Sequence, residues 1–228
     1  MIVVGHQPQY IPHIAYFQKI AQGKILVYID NVQFSKQSWQ QRTLIKSTNR
    51  PLFLTIPVKK SGRSSQNINQ TIIIDDGWRK KHWKSITMSY SKTPFFLLYS
   101  DQLEEIYSKE WVILSDFTVT LTQFLIKQIG LEFEEVYLGS TLGIEGTKTD
   151  LLIDICKKTG SKIFLSGLGA KAYVDEQKFL DAQLSHQFCK QFSTTYQQYG
   201  NNFLGGMAAI DALFMYGPNT INLIRGQS

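Results

Sequence analysis

Three short segments carry side chains able to do chemistry, and each follows an apolar run of strand-like composition. Gly5-His6-Gln7-Pro8-Gln9-Tyr10 follows residues 2–5, Asp30-Asn31-Val32-Gln33-Phe34 follows residues 25–30, and Ser166-Gly167-Leu168-Gly169-Ala170-Lys171 follows residues 162–166. The Asp30 carboxylate could bind an amine, a ribose hydroxyl or a metal, or it could cap the turn that comes next. Gln33 and Arg42, with Trp39 between them, suit a polar ligand with a flat face, such as a sugar or a base. The other reading of that stretch is an ordinary solvated loop. The turn of Ser166 and Gly167, with Lys171 and Tyr173 close behind, could cradle a phosphate through backbone N–H groups. It lacks the GK[ST] ending of a P-loop, and no GxSxG, HExxH or EF-hand pattern occurs elsewhere, which removes several hydrolase and metal-site readings.

Basic residues concentrate in two places. Lys59, Lys60 and Arg63 form one cluster, and Arg79, Lys80, Lys81 and Lys84 form another. Together they exceed the net charge of the whole chain, which is +6. The charge is therefore local, which fits a diphosphate better than a broad nucleic-acid surface. In the second cluster Trp78, His82 and Ile86 recur every four residues and share one helix face, so His82 points inward. It reads either as a core histidine or as a general acid/base or phosphate contact.

The elements that position these groups can be read from periodicity. Residues 2–5 and 25–30 are predicted strands flanking a helix over 13–22, which has Pro12 before its first turn and Gly23 after its last. One βαβ unit implies a parallel sheet with a right-handed crossover. The middle of the chain predicts strands at 52–58 and 71–74, paired as a flap, and helices over 78–91, 95–108 and 110–130. Alternation then returns: strands at 135–138, 162–166 and 187–192, and helices over 147–159, 175–183 and 208–216. Thr147 with Asp150 resembles a capping box in which Asp replaces Glu. The expected architecture is one α/β domain over 1–228, with residues 50–130 a β-flap and helical insertion between the two sheet-forming parts. In such sheets ligands bind beyond the carboxyl ends of the strands, which is where the three polar segments fall.

With 228 residues, 43% hydrophobic and 18% charged, the chain is long enough to bury a core and too apolar for disorder. No stretch has the apolar length of a membrane span, and the N-terminus lacks a signal-peptide pattern. Cys156 and Cys189 stand outside any zinc-ligand spacing and read as free thiols, which favours a cytoplasmic location.

At the start of the first helix, His13-Ile14-Ala15-Tyr16 resembles in degenerate form the HxGH motif of HUP-type nucleotidyl-transfer enzymes. Ala15 stands in place of the glycine and Tyr16 in place of the second histidine. The resemblance implies a Rossmann-like, HUP-type parallel sheet, with His13 and Tyr16 contacting a phosphate or adenylate at the helix N-terminus. Without it, His13 is a polar cap and Tyr16 a core residue.

The chain as a whole is similar to the WbqC-like proteins of bacterial surface-polysaccharide gene clusters. HQPQYIPHIAYFQKI, VYIDNVQFSKQSWQQR, LTIPVKK, WRKKHWKSI, TDLLIDICKKTGSKIFLSG and IDALFMYG carry the match, in that order. The resemblance implies a part in O-antigen or lipopolysaccharide assembly, through transfer of glycine or another acyl group to an amino sugar. Members often carry a second Asp where Asn31 stands, so no metal is expected at 30–31.

The expected activity is that of a transferase or an ATP-dependent amide-forming ligase acting on the amine of a nucleotide-linked amino sugar. The donor would be an adenylate made from ATP or an acyl thioester. Asp30 or His82 would orient or deprotonate the amine. His13, Tyr16, Lys59, Lys60, Arg79 and Lys80 would hold phosphates, and Gln33 and Arg42 would read polar substituents. Gln7, Ser166, Gly167 and Lys171 would complete the binding surface. The alternative is a non-catalytic nucleotide- or carrier-binding module of a glycan-assembly system.

Overall fold

The computed structural model describes residues 1–48, 50–59, 65–190 and 192–227. The chain begins β1 (Ile2–His6), α1 (Ile14–Ile20), β2 (Ile25–Tyr28), β3 (Arg42–Ser47), β4 (Arg50–Thr55), α2 (Trp78–Tyr90), α3 (Phe96–Ser108) and α4 (Leu114–Ile129). It continues β5 (Glu135–Leu138), α5 (Gly139–Leu142), α6 (Lys148–Lys158), β6 (Ile163–Ser166), α7 (Glu176–Asp181), β7 (Ser185–Phe188), α8 (Ala209–Tyr216) and α9 (Thr220–Arg225). Two compact units result. The first comprises Met1–Gln7, Ala15–Val32 and Glu132–Phe192, and the second Pro8–Ile14, Gln33–Leu131 and Ser193–Ser228.

The first unit holds a five-stranded sheet in the order β5-β2-β1-β6-β7, parallel throughout. Val3, Val4, Ile25, Leu26, Val27 and Tyr28 are fully buried. Their unbroken apolar runs suit strands covered on both faces, where alternation would leave polar groups in the core. Leu151, Leu152, Ile155 and Cys156 of α6 and Phe179 of α7 pack with Val3, Val27 and Phe164 in one cluster. The sheet with its flanking helices is a Rossmann-like α/β fold. From β1 the chain steps outward to β2, and after β5 it crosses by α6 to β6 on the opposite side of β1. The β1–β6 pair is thus the point where strand order reverses, the position at which such sheets open a crevice.

The second unit contains the β3–β4 hairpin and helices α2, α3, α4, α8 and α9. Its core is aromatic: Tyr10, Trp78, Tyr107 and Phe117 are buried and in mutual ring contact.

Several local expectations change, among them the last strand, which runs Ser185–Phe188 instead of 187–192. Segment 52–58 pairs mainly with 42–47, register Arg42↔Thr55 to Ser47↔Arg50, rather than with 71–74. A hairpin between near neighbours closes a shorter loop and forfeits less chain entropy. Pairing with 71–74 survives as one short stretch, in which the Lys59 N–H donates to the Ile72 carbonyl and the Ile74 N–H to the Pro57 carbonyl, each at 2.9 Å. The helix predicted from 110 starts at Leu114, because Ile113 bridges Ile72 and the Leu114 N–H donates to the Thr71 carbonyl. The capping box at α6 does not form. Thr147 makes no side-chain cap, and the Asp150 carboxylate takes the Lys178 ammonium at 2.8 Å instead. Asp is one methylene shorter than the Glu of that motif.

Candidate functional site

At the carboxyl ends of β1 and β6 the first unit forms an open cavity of about 530 Å³. Gly5, His6 and Gln7 line it from β1, and Ser166, Gly167, Gly169 and Ala170 from β6 and the turn beyond. Lys19 enters from α1, and Gly146, Thr147 and Lys148 form the entry to α6. Its volume and its place at the switch point are those of a small-molecule site.

Local structure explains how each group arrives there. Lys19 is half-buried, and its ammonium donates to the Gly5 carbonyl at 2.8 Å. Burial lowers its pKa to about 8, an effect that the nearby Cys189 only partly opposes. The His6 ring rests on Tyr16 at 4.3 Å between centroids, and its Nδ1 lies 3.0 Å from the Gln7 carbonyl. Backbone strain collects at the α6 entry. Gly146 has φ +93°, and a Cβ there would stand 3.1 Å from the Leu151 nitrogen, so any other residue would be strained. Lys148 has φ 50°, a left-handed conformation that costs a non-glycine residue ~1–2 kcal/mol. With Thr147 not capping, the N-terminal end of α6 offers its dipole and backbone donors to an anion.

The sequence-predicted residues divide between the two units. In the first, Gln7, Ser166 and Gly167 line the cavity. Tyr16 is buried beneath His6, with a hydroxyl that has no hydrogen-bond partner. Asp30 is also buried. It accepts from the Ser140 N–H at 2.8 Å and the Ser140 hydroxyl at 2.6 Å, so it holds the start of α5. Lys171 is exposed, with Nζ 5.4 Å above the Phe188 ring.

In the second unit, His82 is enclosed. Its Nδ1 lies 2.9 Å from the Tyr10 hydroxyl, which lies 2.7 Å from that of Tyr107. Burial lowers the His82 pKa to about 4, so the ring is neutral near pH 7. Arg79 pairs with Asp75 at 2.9 Å and donates to the Lys109 carbonyl. With Lys80 it lines a separate cavity of about 510 Å³ whose wall also holds Asp75 and Glu104, a mixed rather than a cationic lining. His13 lies 6.3 Å from Trp39, Trp39 lies 6.4 Å from Phe53, and the Arg42 guanidinium sits 4.8 Å above Phe53. Gln33 is exposed and bridges Asn67. Lys59 is exposed on the short stretch facing Ile72, and Lys60 lies outside the described residues.

Sequence reasoning passed over Lys19, His186 and Glu176. A cation on the otherwise apolar face of a seven-residue helix was the available signal for Lys19. His186 had none, because its link to Ser166 exists only through the pairing of β6 with β7. Among the described residues no cluster of three His, Cys, Asp or Glu could hold a metal, and no helix is long and apolar enough to cross a membrane. Both cysteines are free and buried.

Sheet order and cavity together define a Rossmann-like α/β protein with a cavity at its switch point. The chain belongs to the WbqC-like protein family, whose model matches residues 7–223. It is 28% identical over 221 residues to the uncharacterized protein Rv1507c of Mycobacterium tuberculosis, covering 96% of this chain and 95% of that one. No solved structure matches it significantly.

Proposed function

We propose that the protein transfers an acyl or aminoacyl group, such as glycyl, to the amine of a nucleotide-linked amino sugar in surface-polysaccharide assembly in the cytoplasm. The observation that carries this reading is the cavity at the sheet's switch point, which joins a partly buried ammonium, an uncapped helix N-terminus and polar groups of β1 and β6. Lys19 and the α6 entry suit the phosphates of an adenylate or of a thioester carrier. His6 and Gln7 suit the hydroxyl and amine groups of the acceptor. Asp30 and His82, both occupied by internal partners, leave the chemistry to residues of the cavity. Within the second unit, the exposed rings of Trp39 and Phe53 beside Arg42 form a surface of the kind that holds a sugar or base.

The test incubates the full chain with UDP- and dTDP-linked amino sugars and either ATP plus glycine or a short acyl thioester. Mass spectrometry then follows amide product. Product dependent on Lys19 supports the proposal. Thermal stabilisation by a nucleotide sugar without product would assign the protein to the binding-module class, and neither effect would refute both readings.

A further inference from the structure

Ser166 and His186 sit diagonally across neighbouring parallel strands, on the face covered by α7. Register pairs Phe164 with His186 and Ser166 with Phe188, so both side chains leave the same face of the sheet. His186 Nε2 lies 2.8 Å from Ser166 Oγ. On the far side of the ring, Nδ1 faces the Glu176 carboxylate at 3.7 Å and has no hydrogen-bond partner of its own. The His186 side chain is 1% exposed, while Glu176 reaches solvent. Ser166 ends β6 at the cavity wall and is followed by Gly167. A Cβ on Gly167 would stand 3.5 Å from Cδ of Lys19, so the lysine side chain runs directly beside the residue after the serine.

We propose that Ser166 is a nucleophile that carries the acyl group as an ester, with His186 as its general base and Glu176 as the residue that positions His186. The inference rests on the acyl-transfer reading above and names the group that bears the acyl intermediate. Ser166 Oγ attacks the carbonyl carbon of an acyl thioester or acyl adenylate. The Oγ–C bond forms, the bond from carbon to sulfur or phosphate oxygen breaks, and the thiolate or nucleoside monophosphate departs with its electron pair. The Oγ proton passes to His186 Nε2. The acceptor amine then attacks the ester carbonyl, the N–C bond forms and the C–Oγ bond breaks. The imidazolium proton returns to Oγ while the nitrogen gives up its own to the ring, leaving an amide and free serine. Lys19 supplies positive charge for the oxyanion of each step. In the tautomer that serves this chemistry Nε2 accepts from Ser166, and Nδ1–H points at Glu176, the arrangement in which a carboxylate orients a histidine base. Glu176 is the charged group facing the ring, and Phe179 at 5.1 Å and Phe188 at 4.7 Å are its other neighbours.

The test treats the full chain with a fluorophosphonate and, separately, with a p-nitrophenyl acyl ester, then reads adducts by intact mass and peptide mapping. One adduct per chain, on Ser166 and absent in Ser166→Ala, is expected. His186→Gln should slow labelling at least ~100-fold in protein that remains folded at the assay temperature. Glu176→Gln should slow it less and move the midpoint of its pH profile to lower pH, because the carboxylate favours the protonated ring; a structural role alone would leave that midpoint in place. Ser166→Cys, nearly isosteric, should be alkylated by iodoacetamide faster than Cys156 or Cys189. Absence of adduct on folded protein, or mapping to Lys19 instead, overturns the proposal. Amide formation that survives Ser166→Ala would sink the covalent step alone, whereas labelling of Ser166 without amide formation would sink the acceptor assignment alone.

Discussion

Replacing Lys19 by Met should strengthen the fold while emptying the site of its function. The lysine pays a burial cost that is visible as a pKa of about 8 against an ordinary value of 10.5. The sign follows from proton counting. Below about pH 8 both folded and unfolded chains hold the proton, and the folded state bears the full cost of a buried charge. Between there and 10.5 the unfolded chain binds more protons, so stability attributable to Lys19 rises with pH. Each unit corresponds to ~1.4 kcal/mol, which makes the cost near neutrality ~3 kcal/mol. Against this, the hydrogen bond to the Gly5 carbonyl contributes ~1 kcal/mol. The ammonium is also partly exposed and screened by water, so the net gain for Lys19→Met at pH 7 should be ~1 kcal/mol, or ~2–4 °C in Tm. Urea denaturation of both proteins from pH 7.5 to 9.5 should show the stability gap closing by ~1–2 kcal/mol as the wild type loses its proton. A destabilised variant at pH 7, or a gap constant with pH, would refute the account of Lys19 as a strained, desolvated cation held for ligand binding.

Other consequences follow from the same structure. Affinity for pyrophosphate, read by thermal shift, should fall as pH rises through about 8 in the wild type and stay flat in Lys19→Met, since the Lys19 charge is lost there. His82→Phe keeps ring volume but removes the contact with Tyr10, and should cost ~1–2 kcal/mol at pH 7 in denaturant titrations. The His82 pKa is lowered in the folded state, so its share of stability is present above pH 6.5 and lost as pH falls toward about 4; His82→Phe should flatten that decline. Ser140→Ala removes one of the two donors to the buried Asp30 carboxylate and should lower stability by ~1–3 kcal/mol, measured by calorimetry.

Sequence by itself determined the strands β1, β2, β5 and β6 of the parallel sheet. The apolar runs before Gly5, Asp30 and Ser166 alternate with helical periodicity, the pattern of parallel strands joined by helices, so the polar segments that follow them were legible. Most helices were legible too, because amphipathic spacing is local. What tertiary structure decided was which polar groups face the cavity. Asp30 looked like a ligand group until a serine 110 residues away took both of its oxygens. His82 lay on an inward helix face, as its spacing said, but the hydroxyl that meets it comes from Tyr10, itself held by Tyr107, on distant segments. Ser166 met His186 only because β6 and β7 align in one register, and Lys19 became a perturbed cation only because α1 folds back over the end of its own strand. Periodicity reports the face on which a side chain lies, because that depends on near neighbours along the chain. Partner, desolvation and pKa depend on what long-range strand order brings against that face, and no local pattern encodes them.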